Sequence, residues 1–196
     1  MGPIEKYLID KIRHDGAIHM TLIDPEKVTA SSVLEIVGAA EEAGTSAIMV
    51  GGSTATSVHQ TDAVVKGIKS RVEVPLILFP SNVTSISSFA DAIWFMSLLN
   101  STNPYFMAGA QALGAPLIKQ YGLEPLPLGY IIVGEGGVAA FIGQARPIPY
   151  DKPEVAMIYA LAAQYLGMRF VYLEAGSGAK RHVPPEMITM VRKVID

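Results

Sequence analysis

The feature that most constrains this chain is a rhythm. Short β-rich runs alternate with amphipathic stretches of helical length, and Gly, Pro, Ser or Asn stand at the joints. The runs that predict strands are 17–23, 47–50, 76–79, 92–98, 128–133 and 170–173. The stretches that predict helices are 31–43, 57–70, 86–90, 104–121 and 153–166, with a last helix from Pro184 to the end. Residues 1–15 carry Glu5, Lys6, Asp10, Lys11 and Arg13 on a helical period. Strands that alternate with helices require right-handed crossovers and a parallel sheet. Two architectures meet that requirement. An open doubly wound sheet suits six strands, but no Gly-x-Gly-x-x-Gly turn follows the first run. A TIM-type (β/α)8 barrel builds its site from the carboxyl ends of many strands, and polar groups stand there at Asp24, Ser53, Ser81, Asn82, Asn100 and 174–178. The pattern therefore predicts an α/β barrel as a single domain over 1–196, with about six βα units and the C-terminal two lacking.

Composition narrows the function classes. Half of the 196 residues are hydrophobic and 17% are charged, which supports a buried core and argues against disorder. A net charge of -3, with 15 Lys and Arg in no basic run, argues against a nucleic-acid partner. With no cysteine there is no disulfide, no thiolate metal site and no cysteine nucleophile. No apolar stretch reaches the ~20 residues that span a bilayer, and residues 1–15 do not resemble a signal peptide. The expectation is a cytoplasmic protein with, at most, a peripheral membrane contact.

Three motifs carry chemistry. His19-Met-Thr-Leu-Ile-Asp24-Pro25 is a strand that ends in a carboxylate, with Met20, Leu22 and Asp24 on one face. Asp24 either caps the turn at Pro25 or supplies an oxygen ligand to a hard cation. Val50-Gly51-Gly52-Ser53-Thr54 is either an ordinary turn with a helix cap or a place where backbone amides and a hydroxyl meet an anion. Tyr172-Leu173-Glu174-Ala175-Gly176-Ser177-Gly178 is the most specific of the three. Tyr172 and Glu174 share a face, and a strand-end carboxylate can accept a substrate hydroxyl's proton or hydrogen bond. The glycines that follow serve a tight βα turn or let amides cradle a phosphate.

Together these motifs resemble geranylgeranylglyceryl phosphate synthase, of the prenylglyceryl phosphate synthases. Tyr130-Ile-Ile-Val, Ala145-Arg-Pro-Ile-Pro149, Asp151-Lys-Pro153 and Tyr165-Leu-Gly-Met168 extend the resemblance over nearly the whole chain. A bacterial relative, heptaprenylglyceryl phosphate synthase, shares the barrel and the acceptor; the long fourth unit and 172–178 favour the archaeal form. The resemblance implies a prenyltransferase that joins a geranylgeranyl group, from geranylgeranyl diphosphate, to the C3 hydroxyl of sn-glycerol 1-phosphate. It implies Mg2+ held at Asp24 and Ser53. It also implies an acceptor site formed by Tyr172, Leu173, Glu174, Ala175, Gly176, Ser177 and Gly178. The resemblance makes Glu174 and Tyr172 the expected catalytic residues, with Glu174 gripping the attacking hydroxyl and the 176–178 amides meeting the phosphate. A homo-oligomer, dimer or hexamer, is expected, with Trp94, Phe95, Tyr105 and Phe106 supplying apolar surface. Residues 95–107 suit a groove for the isoprenoid tail but read more simply as core packing. The family completes its phosphate site with glycine turns after strands seven and eight, beyond Asp196. An aldolase reading would want a Lys at a strand end, and none stands there. A barrel fragment serving assembly is the third reading.

Overall fold

The computed structural model describes residues 1–52 and 57–196. Among them, six strands follow one another in sheet order β1-β2-β3-β4-β5-β6: β1 (Met20–Ile23), β2 (Ala47–Val50), β3 (Leu76–Leu78), β4 (Ala92–Leu98), β5 (Glu124–Ile132) and β6 (Phe170–Glu174). The helices are α1 (Pro3–Asp15), α2 (Ala30–Glu42), α3 (Val58–Lys69), α4 (Ala110–Tyr121), α5 (Gly137–Ile142), α6 (Pro153–Tyr165) and α7 (Pro185–Arg192). A π-helical turn, Tyr105–Gly109, leads into α4. None of the described helices is long and apolar enough to cross a membrane. The chain divides into two compact units, 1–94 with 113–125, and 95–112 with 126–196.

In the first unit, β1 to β4 pair in parallel, with Ile23 against Val50, Val50 against Leu78 and Leu78 against Ile93. β2 and β3 are buried at every position, as strands covered on both faces must be. Acidic side chains hold the amino ends of these elements. Glu124 accepts the Ile4 and Glu5 amides at 2.7 and 2.9 Å, filling the orphan donors that open α1. Asp91 accepts the Leu76 amide at 2.8 Å and pairs with the Lys69 ammonium at 2.8 Å. Glu41 accepts the Glu73 amide at 2.7 Å. α2 begins in a reciprocal capping box between Thr29 and Ser32.

In the second unit, β5 and β6 pair in parallel from Leu128 against Phe170 to Ile132 against Glu174. Ala163 of α6 meets β5 at Gly129, where any Cβ would come 2.7 Å from the alanine methyl. Ala156 and Ala160 bury fully and let α7 lay Met187 and Val191 onto Ile131 and Val133. Beyond Leu98 the β4 side of β5 is met by other groups. Asn100 Oδ1 accepts the Ile132 amide at 3.0 Å, and Ile148 then forms a parallel bridge to Val133.

Several elements differ from the pattern. The expected helix at 86–90 is absent: Ile86 is extended, a 3-10 turn stands at Val83–Ser85, and the Ser87 hydroxyl takes the Phe89 amide. Serines that bond their own backbone compete with helix in this way. β5 begins four residues before 128, at Glu124, and carries Pro125 and Pro127 ahead of its first residue pair with β6, Leu128 against Phe170. α7 stops at Arg192, whose guanidinium donates to the Ile195 carbonyl while Gln164 holds Asp196. α5 was hidden in a glycine-rich stretch. Trp94 is 4% exposed and donates to Met49 sulfur, so it supplies no apolar surface.

Candidate active site

The carboxyl end of β6 carries the densest polar geometry. Parallel register sets Tyr172 beside Tyr130 and Glu174 beside Ile132, so one face presents two tyrosines and a carboxylate. The rings of Tyr130 and Tyr172 lie 5.6 Å apart, tilted by 46°. Burial pushes the Tyr130 hydroxyl far above its ordinary pKa, and the charge of Glu174, that of Tyr172 and a hydrogen bond to Glu174 push the same way. Tyr172 is pushed up to about 12, by burial first, then by the charge of Glu174 and a hydrogen bond to it. Both phenols therefore stay protonated near neutral pH and act as donors, with Glu174 the acceptor. The expectation that Tyr172 and Glu174 share a face is met.

The Glu174 carboxylate is also held from the turn that follows. Its Oε1 accepts the Gly176 amide at 2.6 Å. Gly176 sits at φ +104°, and a Cβ there would come 2.7 Å from the Gly136 carbonyl carbon and the Gly137 nitrogen. Gly136 and Gly137 are themselves left-handed, and the Gly136 amide donates to Ala175 O at 2.9 Å. Two backbones thus touch directly, which only glycine permits. The same geometry narrows the expected amide cradle over 176–178. The Gly176 amide is taken by Glu174 and the Ala179 amide by Gly176 O, leaving those of Ser177 and Gly178 without partners among the described residues.

Asp24 follows β1, as expected for a rim carboxylate, and Leu22 on the same face is 48% exposed. Its Oδ1 accepts the Glu26 amide at 3.1 Å, and its Oδ2 lies 3.3 Å from the Lys27 ammonium. The turn-capping role is therefore real. A second fact stands beside it: Gly52 approaches so closely that a Cβ would come 2.8 Å from Asp24 Oδ1. Glycine keeps that side of the carboxylate open. Gly51 is required too, since its Cβ would meet Phe79 O. Ser53 lies outside the described residues. Among those described, no three His, Asp or Glu side chains gather as a metal cage.

Asn100, grouped in sequence with the strand-end polar residues, is structural. It is buried, and its amide donates to Ile132 O and Arg146 O at 2.9 Å each. Tyr130 and the 134–137 loop were not singled out as site residues. The signal was present: a strand ending Tyr130-Ile-Ile-Val, then Gly134-Glu-Gly-Gly.

Comparison with known proteins places the chain in a family. The model of the PcrB family matches residues 9–196. Geranylgeranylglyceryl phosphate synthase of Thermofilum pendens is 58% identical over 193 residues, which cover 98% of this chain and 75% of the relative. The synthase of Methanothermobacter thermautotrophicus is 51% identical, covering 98% and 78%. The crystal structure of (S)-3-O-geranylgeranylglyceryl phosphate synthase from Thermoplasma acidophilum, in complex with its substrate sn-glycerol-1-phosphate, matches with a TM-score of 0.94. It is 39% identical, and the match covers 100% of this chain and 78% of that one. The fold is accordingly of the TIM-barrel type, and the chain belongs to the PcrB family.

Proposed function

We propose that this chain is a prenyltransferase that moves a geranylgeranyl group from its diphosphate to the C3 hydroxyl of sn-glycerol 1-phosphate. One observation carries the reading: the Glu174 carboxylate, bonded to the Gly176 amide and flanked by Tyr130 and Tyr172, in a chain more than half identical to named synthases. Glu174 and Tyr172 are the catalytic pair. Glu174 accepts the hydrogen bond of the C3 hydroxyl and takes its proton as the oxygen bonds to C1 of the prenyl group. The C1–O bond to diphosphate breaks in the same exchange, so an ether forms and diphosphate leaves. Tyr172 donates through the reaction without losing its proton. The 172–178 segment, Leu173 and Ala175 included, holds the acceptor, with the Ser177 and Gly178 amides facing its phosphate.

Asp24 and Ser53 are the proposed magnesium ligands. The open carboxylate beside Gly52 suits a hard cation that takes few protein oxygens and fills its shell with water and phosphate. Bound there, Mg2+ would neutralise the departing diphosphate. A cytoplasmic location accords with the absence of cysteine. Assembly with further copies of the chain is supported by the exposed Val138, Phe141 and Ile142 of α5.

The test is incubation of the purified chain with Mg2+, sn-glycerol 1-phosphate and labelled geranylgeranyl diphosphate, with heptaprenyl diphosphate as the competing donor. A prenyl ether of the phosphoglycerol is expected, formed faster from the geranylgeranyl donor. Folded protein that makes no ether from either donor would remove the reading.

A further inference from the structure

We infer that Lys27 is a built-in competitor at the proposed metal position: its ammonium pairs with Asp24 and lowers the affinity of that carboxylate for a free divalent cation. The inference deepens the reading of Asp24 as a metal ligand and rests on it. Asp24-Pro25-Glu26-Lys27 forms one closed turn. The Lys27 amide donates to the Asp24 carbonyl at 3.0 Å, with Pro25 at the second position, where its fixed φ suits a turn. The Glu26 amide donates to Asp24 Oδ1 at 3.1 Å, and Gln60 Nε2 ties the Pro25 carbonyl to α3 at 3.1 Å. The backbone of residue 27 is therefore fixed beside the acid. From there a flexible side chain can turn its ammonium back onto the carboxylate.

The two oxygens of Asp24 have different surroundings. Oδ1 accepts the Glu26 amide, and Gly52 stands against it, where a Cβ would come 2.8 Å away. Oδ2 lies 3.3 Å from Lys27 Nζ. The acid's side chain is 21% exposed and the lysine's 71%. Little of the carboxylate is open, and Lys27 stands at the oxygen that the turn leaves without an amide. A second cation at Oδ2 meets the ammonium's positive charge, so the two compete for one oxygen. The lysine is well hydrated, and an exposed pair of this kind is weak. Lys27 therefore tunes the site and does not block it: the ammonium keeps the acidic turn paired until a cation of higher charge displaces it. Glu174 is held otherwise, by the Gly176 amide and two phenols, all neutral donors. Of the two strand-end acids, only the one proposed to bind a metal carries its own cation.

The experiment is a titration of free Mn2+, a paramagnetic stand-in for Mg2+, followed by electron paramagnetic resonance with no substrate present. It compares the native chain with Lys27→Met, Lys27→Arg, Asp24→Asn and the double variant Asp24→Asn/Lys27→Met. Lys27→Met should tighten Mn2+ binding about threefold, the scale of an exposed ion pair. Added salt should narrow that gain. Lys27→Arg keeps the charge and should stay close to native. Asp24→Asn should bind weakly, and the double variant no better than Asp24→Asn, which separates competition at this carboxylate from a change in net charge. The Lys27 variants should melt with the native chain, because Pro25 and the backbone bonds hold the turn. Lys27→Met binding no tighter than native, or a gain that persists beside Asp24→Asn, overturns the inference, while weak binding by Asp24→Asn keeps the metal reading of Asp24. If neither native nor Lys27→Met protein holds Mn2+, or Asp24→Asn holds it as well as native, that reading and this inference fall together.

Discussion

The ends of β1 and β6 both present a carboxylate, yet the two are held in different ways. Asp24 bonds within its own turn, to Glu26 and Lys27, and owes its opening to Gly52. Glu174 bonds to two tyrosines that β5–β6 register sets side by side, and to the Gly176 amide of the turn that follows it. A locally held acid can tolerate substitution without loss of fold, and it can yield its oxygens to a cation. An acid held by register is pre-aimed, as proton transfer requires. Glu124 and Asp91, at the amino ends of β5 and β4, and Glu41 of α2 form a third set and cap backbone amides.

The sharpest break in that comparison is Glu174→Gln. Glutamine keeps an oxygen for the Gly176 amide, so the turn should persist, while the proton acceptor is lost. We expect kcat to fall about 1,000-fold with the phosphoglycerol KM little changed, measured by steady-state ether formation and by unchanged thermal unfolding. Activity within tenfold of native would deny Glu174 its role. Asp24→Asn should cost less, about 100-fold in kcat, and should raise the Mg2+ concentration for half activity. Its melting temperature should not move, since the bonds lost are exposed ones. A melting temperature that drops while the Mg2+ dependence stays fixed would make Asp24 a turn cap and nothing more.

How much of this was legible in sequence follows from how local each feature is. β2 and β4 match the pattern to the residue, because uninterrupted apolar runs between turn residues need no partner to identify them. β1 starts three residues after 17 because its pairing begins only at Met20 against Ala47. The strand-end positions of Asp24 and Glu174 were legible because an acid that closes an apolar run, before Pro25 or before Ala175-Gly176, is a local signature. Tyr130 was not, since only register places it beside Tyr172. Nor could the sequence separate Asn100, which serves the backbone of β5, from the strand-end polar residues around it. The division of labour among acids at the two ends of strands is likewise a property of pairing.

Gly176→Ala tests the register-held end from the backbone side. The methyl would need a left-handed φ and would strike the Gly136–Gly137 peptide. About 3 kcal/mol of stability should go, or roughly 6 to 12 °C in melting temperature for a chain of this size, and activity should fall with it as the Glu174 carboxylate loses its amide. Substituting alanine for Gly178, also left-handed but with nothing within 4 Å of its Cβ, isolates the conformational share. Equal losses at the two glycines would mean that the contact between loops carries no weight.

The smallest effect is the most diagnostic of burial at Tyr172. Its hydroxyl titrates at about 12 in the folded chain against an ordinary value of 10, so the folded state keeps a proton that the unfolded state releases. Stability linked to this group is full below pH 10, declines as pH rises through 10, and levels off above about 12. Native protein should therefore unfold more readily across that alkaline window. Tyr172→Phe should show a shallower decline, because Tyr130 remains to contribute in the same direction. No comparable alkaline change is expected from Asp24→Asn. Identical alkaline slopes in native and Tyr172→Phe protein would mean that the phenol is solvated, and the contrast between the two strand ends would then rest on Glu174 and Gly176 alone.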